Sequence, residues 1–327
     1  MSRVYHHTNY QGNEPQVGFE IEYAGIDLAS TAQLIAQCWE GRIVPLHRDS
    51  IAVHTKALGE FTVLLDMQRM RELAVQSQKN QAEHVFDMEG LIEDISRPFI
   101  KLYYPNEIVT PPILSSQVRL LEPLVQKLRE NGAQGTRRAL TYAFGLHINS
   151  DVPSLKADIL LAYMQAFVLL YEWLENTMHI DISRRLRVYA ENYPHEYALH
   201  IINPKYQPNT ETLIDDYITH TPTRNRGLDM FPVFMFMDED RVRRRMDNPR
   251  IKKRPTFHFR MPNCEIDDPS WSIEKEWKRW QVLEALAWDH TLRAEMAATY
   301  PTHHSKFYER FTHEWLSLSQ GYVGACA

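Results

Sequence analysis

The sequence predicts an α+β fold, a single domain in which helices cover one face of a largely antiparallel sheet. Short segments of alternating apolar and polar residues recur along the whole chain, which is the period of half-buried strands. One central segment instead keeps an apolar repeat of three to four residues over about five turns, which is the period of a helix. Glycine is scarce, 12 in 327 residues, about half of the usual ~7%. Parallel folds that cradle phosphates in glycine-rich loops need more. Neither G-x-x-x-x-G-K-[ST] nor a G-x-G-x-x-G between strand and helix occurs.

Residues 1–15 read as a loose tail, leaving 16–327 as one domain. "VGFEIEYAGIDL" is the first strand, with Phe19, Ile21 and Tyr23 on one face and Glu20 and Glu22 on the other. "STAQLIAQCWE" follows as a helix with Ser30 or Thr31 as its N-cap. "GRIVPL" and "SIAVHTKALGEFTVLLD" are further strands around "HRDS". Met67 to Ser96, rich in Gln, Glu and Arg, reads as helix. "PNEIVTPPI" is a short extended piece closed by Pro111 and Pro112, and "LSSQVRLLEPLVQKLRENGA" is a helix ending at Gly132. "LTYAFGLHINSDVP" alternates again. The strongest helix is "SLKADILLAYMQAFVLLYEWLENTM", with Leu155, Ile159, Tyr163, Phe167, Leu170 and Leu174 on one stripe. Residues 190–250 are less regular. "RPTFHFRMPN" alternates as a strand. "SIEKEWKRWQVLEALAWDHTLRAEMAA" is one helix with Trp277, Trp280 and Leu283 in line, and a last helix covers "SKFYERFTHEWLSL".

Composition narrows the function classes. The chain is 44% hydrophobic and 24% charged with a net charge of −6, which suits a substantial core and gives no reason to expect nucleic acid or an anionic membrane. Charges interrupt the apolar stretches before the roughly 20 residues of a membrane span. The polar start lacks the apolar core of a secretory signal. Cys38, Cys264 and Cys326 are few, odd in number and far apart, so they read as reduced thiols in a cytoplasmic protein. Oligomeric state is unreadable.

By themselves, Glu20 and Glu22 are the wet face of a strand. Three other segments change that. Glu107 heads the apolar run "EIVTPP"; His147 and Asn149 alternate with Leu146 and Ile148; His258 and Arg260 alternate with Phe257 and Phe259. Sheet faces open to water carry Lys, Thr and Gln, whereas these carry Glu, His, Asn and Arg and no lysine. Carboxylates brought together in this way repel unless cations offset them. Two glutamates two apart on a strand suit oxygen-seeking cations held side by side.

In that order, "GFEIE", "EIVTPP", "GLHINSD" and "TFHFR" resemble the amidoligase family, carboxylate–amine ligases related to glutamine synthetase and glutamate–cysteine ligase. The resemblance implies a curved antiparallel sheet, like the glutamine synthetase catalytic domain, with an inner face for Mg-ATP and helices outside. It implies ATP-dependent formation of an amide or peptide-like bond between a carboxylate and an amine. Glu20, Glu22 and Glu107 match the family's metal-binding glutamates. His147 matches the first histidine of its H-x-H, near the nucleotide phosphates, and Arg260 the arginine of its E-x-R, facing the transferred phosphoryl group. "RDS", with Asp49 and Ser50, is similar to the D-G-S turn on the substrate side.

The sequence departs from that pattern twice. Asn149 stands for the second histidine and His258 for the glutamate of E-x-R. A neutral imidazole in place of an anion would hold magnesium less firmly and favour manganese, which leaves the number of metals open. Expected ATP contacts are His147, Asn149, Arg254 and Arg260. Expected metal ligands are Glu20, Glu22, Glu107 and His258, with Glu107 and Arg260 in the catalytic role. Arg254 comes from "RVRRRMDNPRIKKRP", which holds eight Lys or Arg against one Asp; most of that stretch reads as a solvated turn. Two rivals use the same parts: a metal-dependent phosphotransferase or hydrolase, and a non-catalytic nucleotide-binding relative. "HEYALH" is not a zinc-protease motif, because its histidines are five apart, about 140° off one helical face.

Overall fold

The computed structural model describes residues 8–66, 105–136, 144–178, 191–304 and 314–326. The helix expected from Met67 to Ser96 lies outside them, as does the first part of the helix expected from Ser305. The described residues form two compact units: one from Gly18–Leu146 and Asn263–Glu274, the other from Met1–Val17, His147–Pro262 and Lys275–Ala327.

The first unit is built on antiparallel strands. β1 (Gln16–Tyr23), whose first two residues belong to the second unit, buries Val17, Phe19, Ile21 and Tyr23 in strict alternation. Gly25 turns the chain at a φ of 91°, and a Cβ there would lie 2.5 Å from the Gly132 carbonyl, so only glycine fits. Asp27, rather than Ser30 or Thr31, caps α1 (Leu28–Trp39) by accepting from the Ser30 amide at 2.9 Å. Thr31 is buried and accepts from the Tyr23 hydroxyl instead.

β2 (Arg42–His47), β3 (Ser50–Thr55), β4 (Gly59–Leu65), β5 (Asn106–Val109) and β6 (Ile113–Leu114) follow, in the order β2-β3-β4-β5-β1 with β6 beside β1. A 3₁₀ segment (Ser115–Leu121) leads into α2 (Glu122–Glu130), which starts with Pro123 in its first turn. Residues paired across strands share a face. Val63, Ile108 and Ile21 therefore lie on one side, which α1 covers; Trp39 of α1 stacks on Phe61 at 5.0 Å. Leu64, Glu107 and Glu22 lie on the other.

The second unit holds β7 (Leu146–Ser150, its first residue in the first unit), α3 (Ala157–Thr177), α4 (His195–Ile202), α5 (Thr210–His220), β8 (Leu228–Asp229), α6 (Phe231–Met237), α7 (Glu239–Arg243), β9 (His258–Phe259), α8 (Ile273–Trp288, its first two residues in the first unit), α9 (His290–His303) and α10 (Glu314–Cys326). β9 is the middle strand, antiparallel to β7 and β8. The α+β class expected from the sequence is the one observed. α3 is long and apolar enough to cross a membrane by composition, but 72% of its most apolar window is buried inside the protein; Tyr163, Phe167, Leu170 and Leu174 are core. Trp280 sits 5.4 Å from Phe257 and 5.3 Å from Phe259.

Four details depart from expectation. Residues 190–250 contain four helices, each too short to show a sustained repeat and set apart by prolines and local caps such as Asn209 and Asp238. The long helix after Ser272 is two, because the Asp289 side chain takes the Leu292 amide and starts α9. The strand around His258 is only two residues long, so Arg254 lies outside it, its amide bonded to the Pro232 carbonyl. Within the segment expected as a tail, Asn9 is buried, bonded to Asp151 at 2.9 Å, and the Tyr10 amide meets the Val152 carbonyl.

Candidate active site

The first unit gathers the acidic groups. Period two along β1 places Glu20 and Glu22 together on the face away from α1, where Glu22 is the direct cross-strand partner of Glu107. The Glu20 and Glu107 side chains are hydrogen-bonded to each other. Burial, and then the charges of Glu20, Glu22 and Asp66, push the Glu107 carboxyl well above the usual range. Glu22 accepts from the Gly145 amide at 2.7 Å, which fixes its carboxylate. Asp66, at the end of β4, is held by its amide to the Pro105 carbonyl.

Two carboxyls that share a hydrogen bond need a proton between them, and a divalent cation can take that proton's place. The donor set is oxygen only, which fits a hard cation such as magnesium or manganese. Ser50 pairs with Leu64 and Leu64 with Glu107. Ser50 is therefore on the same face as the glutamates, two strand spacings or about 10 Å from Glu107. Asp49, in the turn before it, accepts the Leu65 amide on its carbonyl.

The second unit gathers the histidines and the arginine. His147 and Asn149 share one face of β7. The Asn149 Oδ1 lies 2.5 Å from the His258 Nδ1, and the His147 and His258 rings meet edge to face at 5.1 Å. With Asn149 as acceptor, His258 carries its proton on Nδ1 and its lone pair on Nε2.

His258 pairs in register with Asp229 of β8. Asp229 is wholly buried, takes the Phe231 amide at 2.9 Å, and faces two guanidiniums: Arg260 at 3.7 Å and Arg224 at 3.6 Å. Burial raises the Asp229 pKa, and Arg260 and then Arg224 oppose the rise.

Sequence reading passed over Asp66, Arg224 and Asp229. Asp66 follows an apolar run and Asp229 precedes one, and both could have been suspected on that ground; Arg224 carries no pattern at all. Much of the basic stretch 241–255 is tied up in ion pairs: Arg241 to Asp215, Asp238 and Glu211, and Arg243 and Lys253 to Glu239. His200 of "HEYALH" packs its ring 4.1 Å from Tyr206.

The protein family described as "Putative amidoligase enzyme" matches residues 13–282. The chain belongs to the amidoligase family. Membership supports a ligase-type function, and the match takes in each of the four motif segments. No curated protein matches the chain.

Proposed function

We propose that this amidoligase joins a carboxylate to an amine at the expense of ATP, with magnesium held by Glu20, Glu22 and Glu107. The observation that carries the proposal is the Glu20–Glu107 carboxyl pair beside Glu22 and Asp66. So much anionic charge on one half-buried sheet face is costly unless a cation answers it. Magnesium, when bound, would neutralise phosphate charge and leave an electrophilic phosphorus.

A carboxylate is a poor electrophile. Its oxygen takes the γ-phosphoryl group of ATP, ADP leaves, and an acyl phosphate results. The amine nitrogen then attacks the carbonyl carbon, the C–O bond to phosphate breaks, and the amine's proton passes to solvent or phosphate. His147, Asn149 and Arg254 are assigned to the nucleotide phosphates. Arg260 is assigned to the transferred group. Anchoring on a buried aspartate means that little ordering cost remains for that guanidinium at the moment of transfer. His258, oriented by Asn149, offers Nε2 as a further ligand, one that suits manganese as well as magnesium. Asp49 and Ser50 are assigned to the substrate side, and the reaction to the cytoplasm, where ATP is supplied.

The test is a screen of amino acids and small peptides for phosphate release. ADP should form only when a carboxylate and an amine are both present. Steady ATP hydrolysis without an amine would replace the ligase with a phosphotransferase or hydrolase. Absence of Mg-ATP binding by calorimetry would leave a non-catalytic relative.

A further inference from the structure

A cavity of about 590 Å³ lies within the second unit, walled by α3, the 202–208 connection, the end of α8 and the first turns of α9. Its walls are mostly apolar, with Ile159, Ala162, Ile202 and Trp288 among them. Its size is that of a pocket for a small organic molecule. None of the groups assigned to ligation lines it.

One charged group in it is unusual. Arg293 lines the cavity and is half-buried, and burial lowers its pKa, against which Asp289 acts. Its Nε donates to Gln165 Oε1 at 3.0 Å, and its Nη1 donates to the carbonyls of Ala287 and Leu286. These bonds fix the plane of the guanidinium. They use neutral acceptors and leave the Nη2 edge without a hydrogen bond among the described residues. No carboxylate among the described residues forms an ion pair with it. A rigid, partly desolvated cation with one free edge is a receptor for a single carboxylate. Asp158, exposed and also lining the cavity, repels a ligand carrying several negative charges.

We propose that this cavity binds a small monocarboxylate with an apolar body, its carboxylate on the Nη2 edge of Arg293 and its body against Ile159, Ala162, Ile202 and Trp288. Its lining residues belong to neither the acidic nor the histidine cluster, and the site does not depend on the ligase proposal.

Calorimetry on the full chain with 3-phenylpropionate and its uncharged twin 3-phenylpropanamide tests it. The acid should bind at least about tenfold more tightly than the amide, the worth of one charge-assisted hydrogen bond. Arg293→Gln should bring the acid down to the amide's affinity. Ala298→Trp, which fills the cavity from an exposed position and leaves the Arg293 bonds alone, should weaken both ligands at least about tenfold, and it decides the matter if Arg293→Gln fails to fold. Equal affinity of acid and amide, undiminished binding to Ala298→Trp, or no acid binding at millimolar concentration would each overturn the proposal.

Discussion

Glu22 of β1 and Glu107 of β5 face each other directly across an antiparallel pair, two acidic residues at a cross-strand position. Like charges placed so destabilise a sheet by roughly 0.2–1 kcal/mol. Here the charges of Glu20 and Asp66 compound the penalty, and a proton shared between Glu20 and Glu107 relieves only part of it. A fold keeps such a cluster only if something in use answers its charge, and that need is what makes the face a candidate catalytic floor rather than a solvated surface.

The first prediction follows from that charge. Glu22→Gln retains an oxygen for the Gly145 amide but removes one repulsion. Without divalent cations it should be more stable than the parent, by about 0.5 kcal/mol. Magnesium at millimolar concentration should raise the melting temperature of the parent by mass action and that of the variant much less. ATP turnover should be lost. Thermal melts with and without magnesium check this; equal magnesium-induced shifts in the two proteins would remove Glu22 from the metal set.

The second prediction concerns Asp229. Its single buried carboxylate answers the guanidiniums of both Arg260 and Arg224. Asp229→Ala leaves two partly buried cations without it, and unfolding by denaturant should show a loss of about 3 kcal/mol. Asp229→Asn keeps an acceptor for the Phe231 amide and should lose less. If Arg260 is positioned by Asp229 for phosphoryl transfer, Asp229→Asn should lower kcat more than it raises the KM for ATP. A change confined to KM would mean that Arg260 contributes to binding alone.

Much of this was legible in the residues. The alternation around Glu20 forecast which side chains of β1 are buried, because period two is enforced wherever one face is packed. The stripe through Tyr163, Phe167, Leu170 and Leu174 forecast α3 for the same reason. Cap identity was less legible: Asp27, Ser30 and Thr31 are all competent caps, and the demand of the Tyr23 hydroxyl removed Thr31 from the competition. The break at Asp289 was hidden because the apolar repeat runs through it, and only a side-chain bond to the Leu292 amide separates α8 from α9. At the site, Glu20, Glu22 and Glu107 announced themselves as charges inside apolar strands. Arg224 did not: it lies in the irregular stretch before β8, five residues from Asp229, where no periodic pattern marks a charged partner.

The last prediction lies away from the chemistry. Glu284 of α8 accepts from the Tyr163 hydroxyl at 2.8 Å, and the Trp288 indole donates to the same hydroxyl at 3.1 Å. Burial raises the Glu284 pKa from 4.5 to about 7, and the Tyr163 bond opposes the rise. An acid whose folded pKa is raised binds its proton more tightly folded than unfolded. Its stabilising contribution is therefore complete below about 4.5 and is lost as pH climbs through about 7. The parent should lose up to about 3 kcal/mol from this group between those limits. Glu284→Gln keeps an oxygen for the Tyr163 hydroxyl and cannot ionise. Urea unfolding at pH values spanning 4.5 to 8 should show a stability that falls with pH in the parent and falls less in Glu284→Gln, the two diverging most above neutrality. Parallel pH profiles would mean that Glu284 meets water in the folded state and titrates as an ordinary surface carboxylate.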